Sequence, residues 1–528
     1  FTNFKGYGTY DFVGLRNYKD LFTDARVGRS YLFTFKYAIV CTIIVNVISL
    51  LLALGLNAKI KGKTVLRGIY FIPNILGGLV IGYIFSFFFT YILPAAGQAA
   101  GIEWLSSSIL AKESTAWFGI VIVGAWQAIA MNTIIYISGL QTVPEDVYEA
   151  GAIDGATGWR RFKDLTFPLI IPFFTINMVL CMKNFLMVFD QIMALTKGGP
   201  SQSTESISYL IYQNGMSGGQ FGFQSANAVL FFVVIVAISA FQMTVMSKKT
   251  NNQTAKVNWP ITILLIIGCL TVFFPLYMAV IIAFKQPSEM TNDIAGALAF
   301  PKTWSFANFS EAMKVTDFWH SLGNSLLLTI VTVILAILIH SLAGYAIGRS
   351  MANKKFYNFA YLYIVSGMFV PFAILMMPLV KQTAQIGIAN RFGVIVLYVV
   401  FFMPMNILLY SGYLKNIPLA LEEAARVDGA TTWSTYWNII FPIMKPMHAT
   451  VAVLTAMSTW NDVMTPLVIM SGTGKNTLPL AQLNFQTQFG TNYNLAFASY
   501  LLALLPILIF YLICQKQIIN GVVNGAVK

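Results

Sequence analysis

The chain has 528 residues, of which 57% are hydrophobic and only 10% charged, with a mean hydropathy of +0.70. Soluble globular proteins carry roughly 25% charged residues, so the composition excludes an ordinary soluble domain and reads as a polytopic membrane protein. The net charge of +13 invites a nucleic-acid reading, but the basic residues stand in short clusters beside apolar spans, as positive-inside topology requires.

In chain order, the first thirty residues are polar and aromatic with no signal peptide, and the reading places the natural N-terminus upstream of Phe1. A spanning helix needs about 20 apolar residues. The first half supplies candidate spans at 34–56, 66–90, 117–140, 169–195 and 226–246. The second supplies 260–284, 324–348, 358–380, 393–412, 443–470 and 497–514. The expected fold is therefore all-α, a transmembrane helical bundle of two similar halves with about eleven spans. The polar stretch from Ser247 to Asn258 places a domain boundary near residue 250, giving halves 1–250 and 251–528. Basic clusters at Lys59–Arg67, Lys248–Lys256 and Arg349–Lys355 fall on one face if crossings alternate, and that face is cytoplasmic. Prolines within spans (Pro73, Pro275, Pro371, Pro404, Pro506) read as kinks. Cys41, Cys181, Cys269 and Cys514 are dispersed through apolar spans, and His320, His340 and His448 form no ligand set, so neither a disulfide framework nor a metal site is expected.

One passage is written twice. Pro144 to Pro172 reads PEDVYEAGAIDGATGWRRFKDLTFPLIIP, and Pro418 to Pro446 reads PLALEEAARVDGATTWSTYWNIIFPIMKP, each matched position 274 residues from its partner. A proline suits the first turn of a helix. Glu149-Ala150-Gly151 and Glu423-Ala424-Ala425 then set small residues beside a carboxylate, allowing another surface to approach the backbone. Asp154-Gly155 and Asp428-Gly429 permit a turn, and a second amphipathic stretch leads to Phe167-Pro168 or Phe441-Pro442. A helix–turn–helix along the cytoplasmic membrane surface is predicted in each half. An ordinary connecting loop would account for one copy; two copies at fixed spacing report repeated architecture.

The repeated motif resembles the EAA loop of ABC importer permeases. More narrowly, the first half is similar to the maltose-permease type of carbohydrate permease, through Phe12-Val-Gly-Leu-Arg-Asn-Tyr18 and Leu195-Thr-Lys-Gly-Gly-Pro200. The second half resembles its partner subunit, through Trp460-Asn-Asp462, Thr477-Leu-Pro-Leu480 and Gly525-Ala-Val-Lys528. Two departures stand out: Gly151 replaces the family's usual alanine, and the family normally uses two polypeptides, the first with a span ahead of the FVGLRNY-type segment. The chain thus reads as two subunits, or their ordered parts, in one numbering. The resemblance implies a type I importer permease fold, carbohydrate cargo (an oligosaccharide foremost) and a bacterial or archaeal plasma membrane location. It also implies two ATP-binding cassette ATPase subunits, which bind ATP and Mg, and an extracytoplasmic solute-binding protein. Glu149 and Glu423 would anchor the loops on the ATPases.

No motor is written in the chain itself. Gly472-Thr-Gly474-Lys475-Asn476 resembles a P-loop, but its first glycine is misplaced and Asn476 stands where a hydroxyl must bind magnesium. No nucleophile–base–acid set gathers either, so no enzymatic activity is expected. For the substrate path, the resemblance points to Gly124, Gln127, Ala128, Met131, Cys181, Phe185 and Asp190. The first four form a stripe at spacings of three and four, where helix packing is the alternative use of the same residues. Gln127 is placed to bond hydroxyls and Phe185 to stack on a sugar face. Lys183 and Asp190 are charges within a predicted span, functional hypotheses by default. A straight helix cannot turn both of them and Cys181 and Phe185 toward one cavity, which favours a helix ending before Asp190. Asp462 is the comparable candidate in the second half. The competing readings are an ion-coupled secondary transporter built from parallel repeats, an importer for a non-sugar solute such as glycerol phosphate, and a membrane scaffold or sensor without transport.

Overall fold

The structure is a computed structural model that describes residues 1–58, 60–153, 155–156, 158–246, 259–290, 298–415, 417–470, 472–485 and 492–526. The predicted boundary near residue 250 lies outside the described residues. Within them the regular structure is helical, with one isolated antiparallel bridge between Thr2 and Phe12. The principal helices of the first half are α1 (Ala25–Asn57), α2 (Lys63–Ile75), α3 (Gly78–Phe87, continued to Ala99), α4 (Ala116–Gln141), α5 (Glu145–Ile153), α6 (Phe167–Leu186), α7 (Asp190–Leu195) and α8 (Phe221–Met246). The second half supplies α9 (Trp259–Phe284), α10 (Phe318–Ser350), α11 (Lys355–Ser366), α12 (Phe372–Gln385), α13 (Arg391–Leu414), α14 (Ala420–Val427), α15 (Lys445–Asn461), α16 (Met464–Ile469) and α17 (Tyr493–Ala526). Among the described residues, nine helices are long and apolar enough to cross a membrane, and up to eleven spans result if each of two bent pairs counts as one.

Four predicted spans are not straight helices. The span read at 66–90 breaks at Leu76, whose ψ of 135° is extended. Pro73 and the Gly77-Gly78 pair weaken the helix there, and the Leu76 carbonyl that the break releases is taken by the Gln127 side-chain amide at 2.6 Å. The span read at 169–195 stops at Leu186, and a new helix starts at Asp190. The span read at 443–470 is interrupted in the same way between Asn461 and Met464, and Lys445–Asn461 is bent by 73° from the preceding Thr432–Ile443. The span read at 358–380 bends by 99° before Phe372, where Pro371 disfavours helical geometry at the residue it follows.

Packing groups the chain into two compact units: Phe1–Trp319 with Pro371–Leu379 and Leu478–Leu508, and His320–Val370 with Val380–Thr477 and Ile509–Lys528. In the first, α1, α4 and α6 share a buried seam that includes Tyr37, Cys41, Val45, Ile120 and Val123. Polar side chains bind these helices where the surrounding lipid offers no partner. Tyr136 Oη donates to Asn46 Oδ1 at 2.6 Å, and Asn177 Nδ2 to the Asn132 carbonyl at 3.1 Å. The same unit takes α9 from the second half: Tyr70 Oη donates to the Leu265 carbonyl at 2.7 Å and Trp126 Nε1 to that of Thr271 at 3.0 Å. The second unit is centred on α10, α13 and α15, with Tyr345, Tyr410, Leu414, Tyr436, Met447 and Val451 in one buried cluster.

Candidate functional site

The repeated passage folds twice into the same local structure. A short helix (α5 or α14) ends at a glycine, a four-residue helical turn follows (Gly158–Arg161 or Thr432–Thr435), then a single π turn (Phe162–Thr166 or Tyr436–Ile440). A helix then begins at Phe167 or Phe441; the first runs on to Leu186, while the second stops at Ile443 and Lys445–Asn461 follows at 73°. The correspondence runs past the sequence motif, since α7 (Asp190–Leu195) and α16 (Met464–Ile469) also lie 274 residues apart.

The glycine has a definite task. Gly155 has φ +73° and Gly429 φ +84°, in the left-handed region that costs other residues roughly 1–2 kcal/mol. In the first copy Ala156 N–H donates to the Gly151 carbonyl at 2.8 Å and Gly155 N–H to that of Ala152 at 3.2 Å. In the second, Ala430 N–H donates to Ala425 at 2.9 Å and Gly429 N–H to Arg426 at 3.0 Å. These pairs form a Schellman cap, which satisfies the last helical carbonyls. The Gly-Ala of the motif is thus the stop signal of each helix, and the small third residue (Gly151, Ala425) supplies the capped carbonyl and is buried. Asp154 lies outside the described residues, and of Ala150 only the helical backbone is described; Asp428 closes its helix and is exposed.

Glu149 and Glu423 both point into solvent, each four residues before an aliphatic side chain that is 87% exposed: Ile153 in the first copy and Val427 in the second. Trp159 and Trp433 stand beyond the turn, 73% and 60% exposed. Each element therefore presents a carboxylate, an aliphatic knob and an indole without burying them, and Ala424 joins the exposed face of the second. The matched tryptophans were visible in the sequence as part of the repeat; that Ile153 and Val427 face outward needed the helix phase, which the structure supplies.

The inward faces differ. In the second copy Glu422, not singled out by the sequence reading, is 3% exposed. Its carboxylate accepts from Arg349 Nε at 2.6 Å and Tyr345 Oη at 3.0 Å, while Arg349 also donates to the Leu414 and Ile417 carbonyls, each at 2.9 Å. This network rivets α14 to the ends of α10 and α13. In the first copy the matching position is Tyr148, which packs against the apolar cluster around Tyr136 and Leu140 with the Arg161 guanidinium 5.5 Å over its ring. Burial raises the pKa of the Tyr148 phenol and keeps it neutral. In the sequence Arg349 stands only among the basic clusters, and nothing local to it marks Glu422 as its partner, 73 residues further on.

The residues that the sequence singles out for a substrate path fall into separate groups. Gly124 and Phe185 meet around Tyr37: a methyl added at Gly124 would collide with Tyr37 Oη, and Phe185 stands edge-on to the Tyr37 ring at 5.7 Å. Cys181 is buried and donates to Asn132 Oδ1 at 3.3 Å. Gln127 bridges two helix breaks, since it holds the Leu76 carbonyl and accepts from Gln191 Nε2 at 3.0 Å. Asp190 begins α7 beside Gly78, where an added methyl would lie 3.0 Å from its Oδ2. Ala128 and Met131 are half-buried on α4, and Lys183 is half-buried on α6. Asp462 accepts from Tyr398 Oη at 2.8 Å, Met464 N–H at 3.1 Å and Thr465 N–H at 3.3 Å, and so caps α16.

A helical bundle with duplicated surface elements at the ends of its spans defines a membrane permease built from two like halves. The chain matches the family of binding-protein-dependent transport system inner membrane components over residues 21–252 and 341–523. It belongs to that family, as a multi-pass protein of the plasma membrane holding two permease domains. It is 38% identical over 271 residues to the multiple sugar-binding transport system permease protein MsmG of Streptococcus mutans, covering 50% of this chain and 95% of that protein. It is 39% identical over 250 residues to MsmF of the same organism, covering 47% and 86%. With the probable starch degradation products transport system permease protein AmyD of Thermoanaerobacterium thermosulfurigenes it shares 36% identity over 249 residues, covering 47% and 85%. Each relative accounts for about half of this chain, as expected for a pair of permeases in one sequence.

Proposed function

We propose that this chain is the translocation pathway of an ATP-driven importer that carries a carbohydrate, foremost an oligosaccharide, into the cytoplasm. ATP hydrolysis takes place on two separate ATP-binding cassette subunits, which hold ATP and Mg, and an extracytoplasmic solute-binding protein delivers the cargo. The observation that carries the reading is the pair of identically capped coupling elements, set in a chain whose relatives are named sugar permeases. Each exposed face, Glu149 with Ile153 and Glu423 with Val427, docks on one ATPase, and the backbone at Ala150, Gly151, Ala424 and Ala425 with the turns at Gly155 and Asp428-Gly429 shapes that face; Asp154 is assigned to the same face from the repeat alone. In the first unit cargo passes the groups around Gln127, Met131 and Asp190, with Gly124, Ala128, Cys181 and Phe185 setting the helix packing behind them; in the second unit Asp462 is the corresponding candidate. Shifting a two-state equilibrium from mostly inward to mostly outward takes about 5.5 kcal/mol of differential binding, and ATP together with the docked binding protein supplies it.

The test is reconstitution with the ATPases and binding protein, followed by a sugar panel scored by stimulated ATP hydrolysis and uptake. Stimulation by an oligosaccharide, with uptake that survives an ionophore, is the expected result. Activity confined to another solute class would overturn the carbohydrate assignment, and uptake abolished by the ionophore would favour the ion-coupled transporter. Glu149→Ala combined with Glu423→Ala should leave the permease folded yet weaken ATPase co-purification; full co-purification and uptake would sink the docking roles.

A further inference from the structure

The first unit contains a cavity of about 250 Å³ away from the Gly124–Phe185 group. Its walls come from three segments: Tyr83 and Ser86 of α3, Tyr493 and Tyr500 of α17, and Thr196 and Lys197 just beyond α7. Close packing of α3 against α7 shapes one side. A methyl added at Gly82 would collide with Ala194, and Gly78 lies against Asp190, a small-xxx-small contact that lets two helices touch along their backbones. The cavity belongs to the extracytoplasmic side, because α3 runs away from the basic Lys61–Arg67 end and the Thr196–Lys197 segment follows the helix that leaves the first coupling element.

Two features mark it as a binding site. Tyr83 and Tyr500 are 4% and 2% exposed, their rings stacked at 5.8 Å and 19°. Among the described residues neither hydroxyl bonds another protein group, and both side chains line the cavity. Both residues line the open space of the cavity, so the two hydroxyls, side by side, each offer a donor and an acceptor to whatever occupies it. The second feature is the rim: three of the four described non-glycine residues with positive φ, Lys197, Ser201 and Gln202, fall in the loop after α7. That loop is pinned by the Arg26 guanidinium on the buried Glu205 carboxylate, at 2.6 and 2.8 Å, and by Thr204 Oγ1 on the Gly199 carbonyl at 2.6 Å. A strained loop held this firmly fixes Lys197, a pure donor, at the mouth.

We propose that this tyrosine-walled cavity is a subsite for one terminal sugar ring of the cargo, an inference that rests on the carbohydrate reading above. The volume lies below that of pockets for drug-sized ligands, about 300–1,000 Å³, so the space inside suits a single ring, with the rest of the chain leaving by the mouth. Tyrosine hydroxyls that both donate and accept match ring hydroxyls that do the same, and the Lys197 ammonium serves an acceptor oxygen.

The assembled transporter, with ATPases and binding protein in proteoliposomes, is assayed with maltotriose as the probe. Tyr83→Phe and Tyr500→Phe remove a hydroxyl each and keep the stacked rings. Each is expected to raise KM for maltotriose-stimulated ATP hydrolysis about fivefold, the worth of about one hydrogen bond, with kcat nearly unchanged. Ser86→Cys, labelled with a water-soluble methanethiosulfonate, should be protected several-fold by maltotriose during turnover. A responsive wild type whose phenylalanine variants keep its KM, with Ser86→Cys labelling indifferent to sugar, overturns the subsite and leaves the carbohydrate reading standing. A wild type silent to maltotriose and to a panel of other oligosaccharides overturns the carbohydrate reading, and the subsite with it.

Discussion

Glu422 and Glu423 are neighbours in the sequence with opposite surroundings. Glu422 is enclosed, its two oxygens held by Arg349 and Tyr345, whereas Glu423 stands in solvent. Removing one partner of a buried ion pair strands the other charge and costs about 3–5 kcal/mol, while an exposed substitution stays within about 0.5 kcal/mol. Glu422→Ala is therefore expected to lower the thermal unfolding temperature of the purified permease in detergent by several degrees. Glu423→Ala should unfold with the wild type and lose only its grip on the ATPase. Equal unfolding temperatures for the two variants would contradict the assignment of Glu422 as the rivet. The sequence pattern made Glu423 conspicuous because it sits in the repeat; Glu422 could not be chosen because its copy-one counterpart is Tyr148 and its partner lies 73 residues away. Gln127 shows the same limit. Its polarity and its place on the stripe were readable, but the carbonyl it serves is released by a helix break 51 residues distant.

The repeated element is a self-contained piece of local chemistry, which is why most of it is legible in the sequence. Proline before the helix, Gly-Ala after it and Phe-Pro at the next start each act over a few residues, and the structure realises them as a helix, a Schellman cap and a membrane helix. Less legible were the π turns at Phe162–Thr166 and Tyr436–Ile440, since one extra residue in a turn leaves no periodic trace, and the outward phase of α5 and α14. That phase has a consequence for assembly. Ile153 and Val427 protrude on the same face as the glutamates, so burying them against a partner contributes roughly 1.5–3 kcal/mol apiece. Ile153→Asp with Val427→Asp should abolish ATPase co-purification while the permease keeps its unfolding temperature and its monodisperse elution. Retained co-purification would mean that the aliphatic knobs lie outside the docking face.

On the scale of the whole molecule, span count and the duplicated plan followed from hydropathy and the repeat, but the partition of the chain did not. Hydropathy is blind to which helix packs on which. The first unit gathers α9 and the start of α17 from the second half around helices of the first, with Tyr70 bonded to Leu265 and Tyr83 stacked on Tyr500. Residues 1–250 expressed alone should therefore be degraded or aggregate, and co-expression of 251–528 as a second polypeptide should restore a complex that co-purifies. A stable, soluble product from 1–250 alone in detergent would refute this interdependence. The interleaving also sets an order for folding. The Tyr70 hydroxyl of the first half finds its acceptor, the Leu265 carbonyl, only 195 residues further along the chain, so this packing can be completed only after α9 has entered the bilayer.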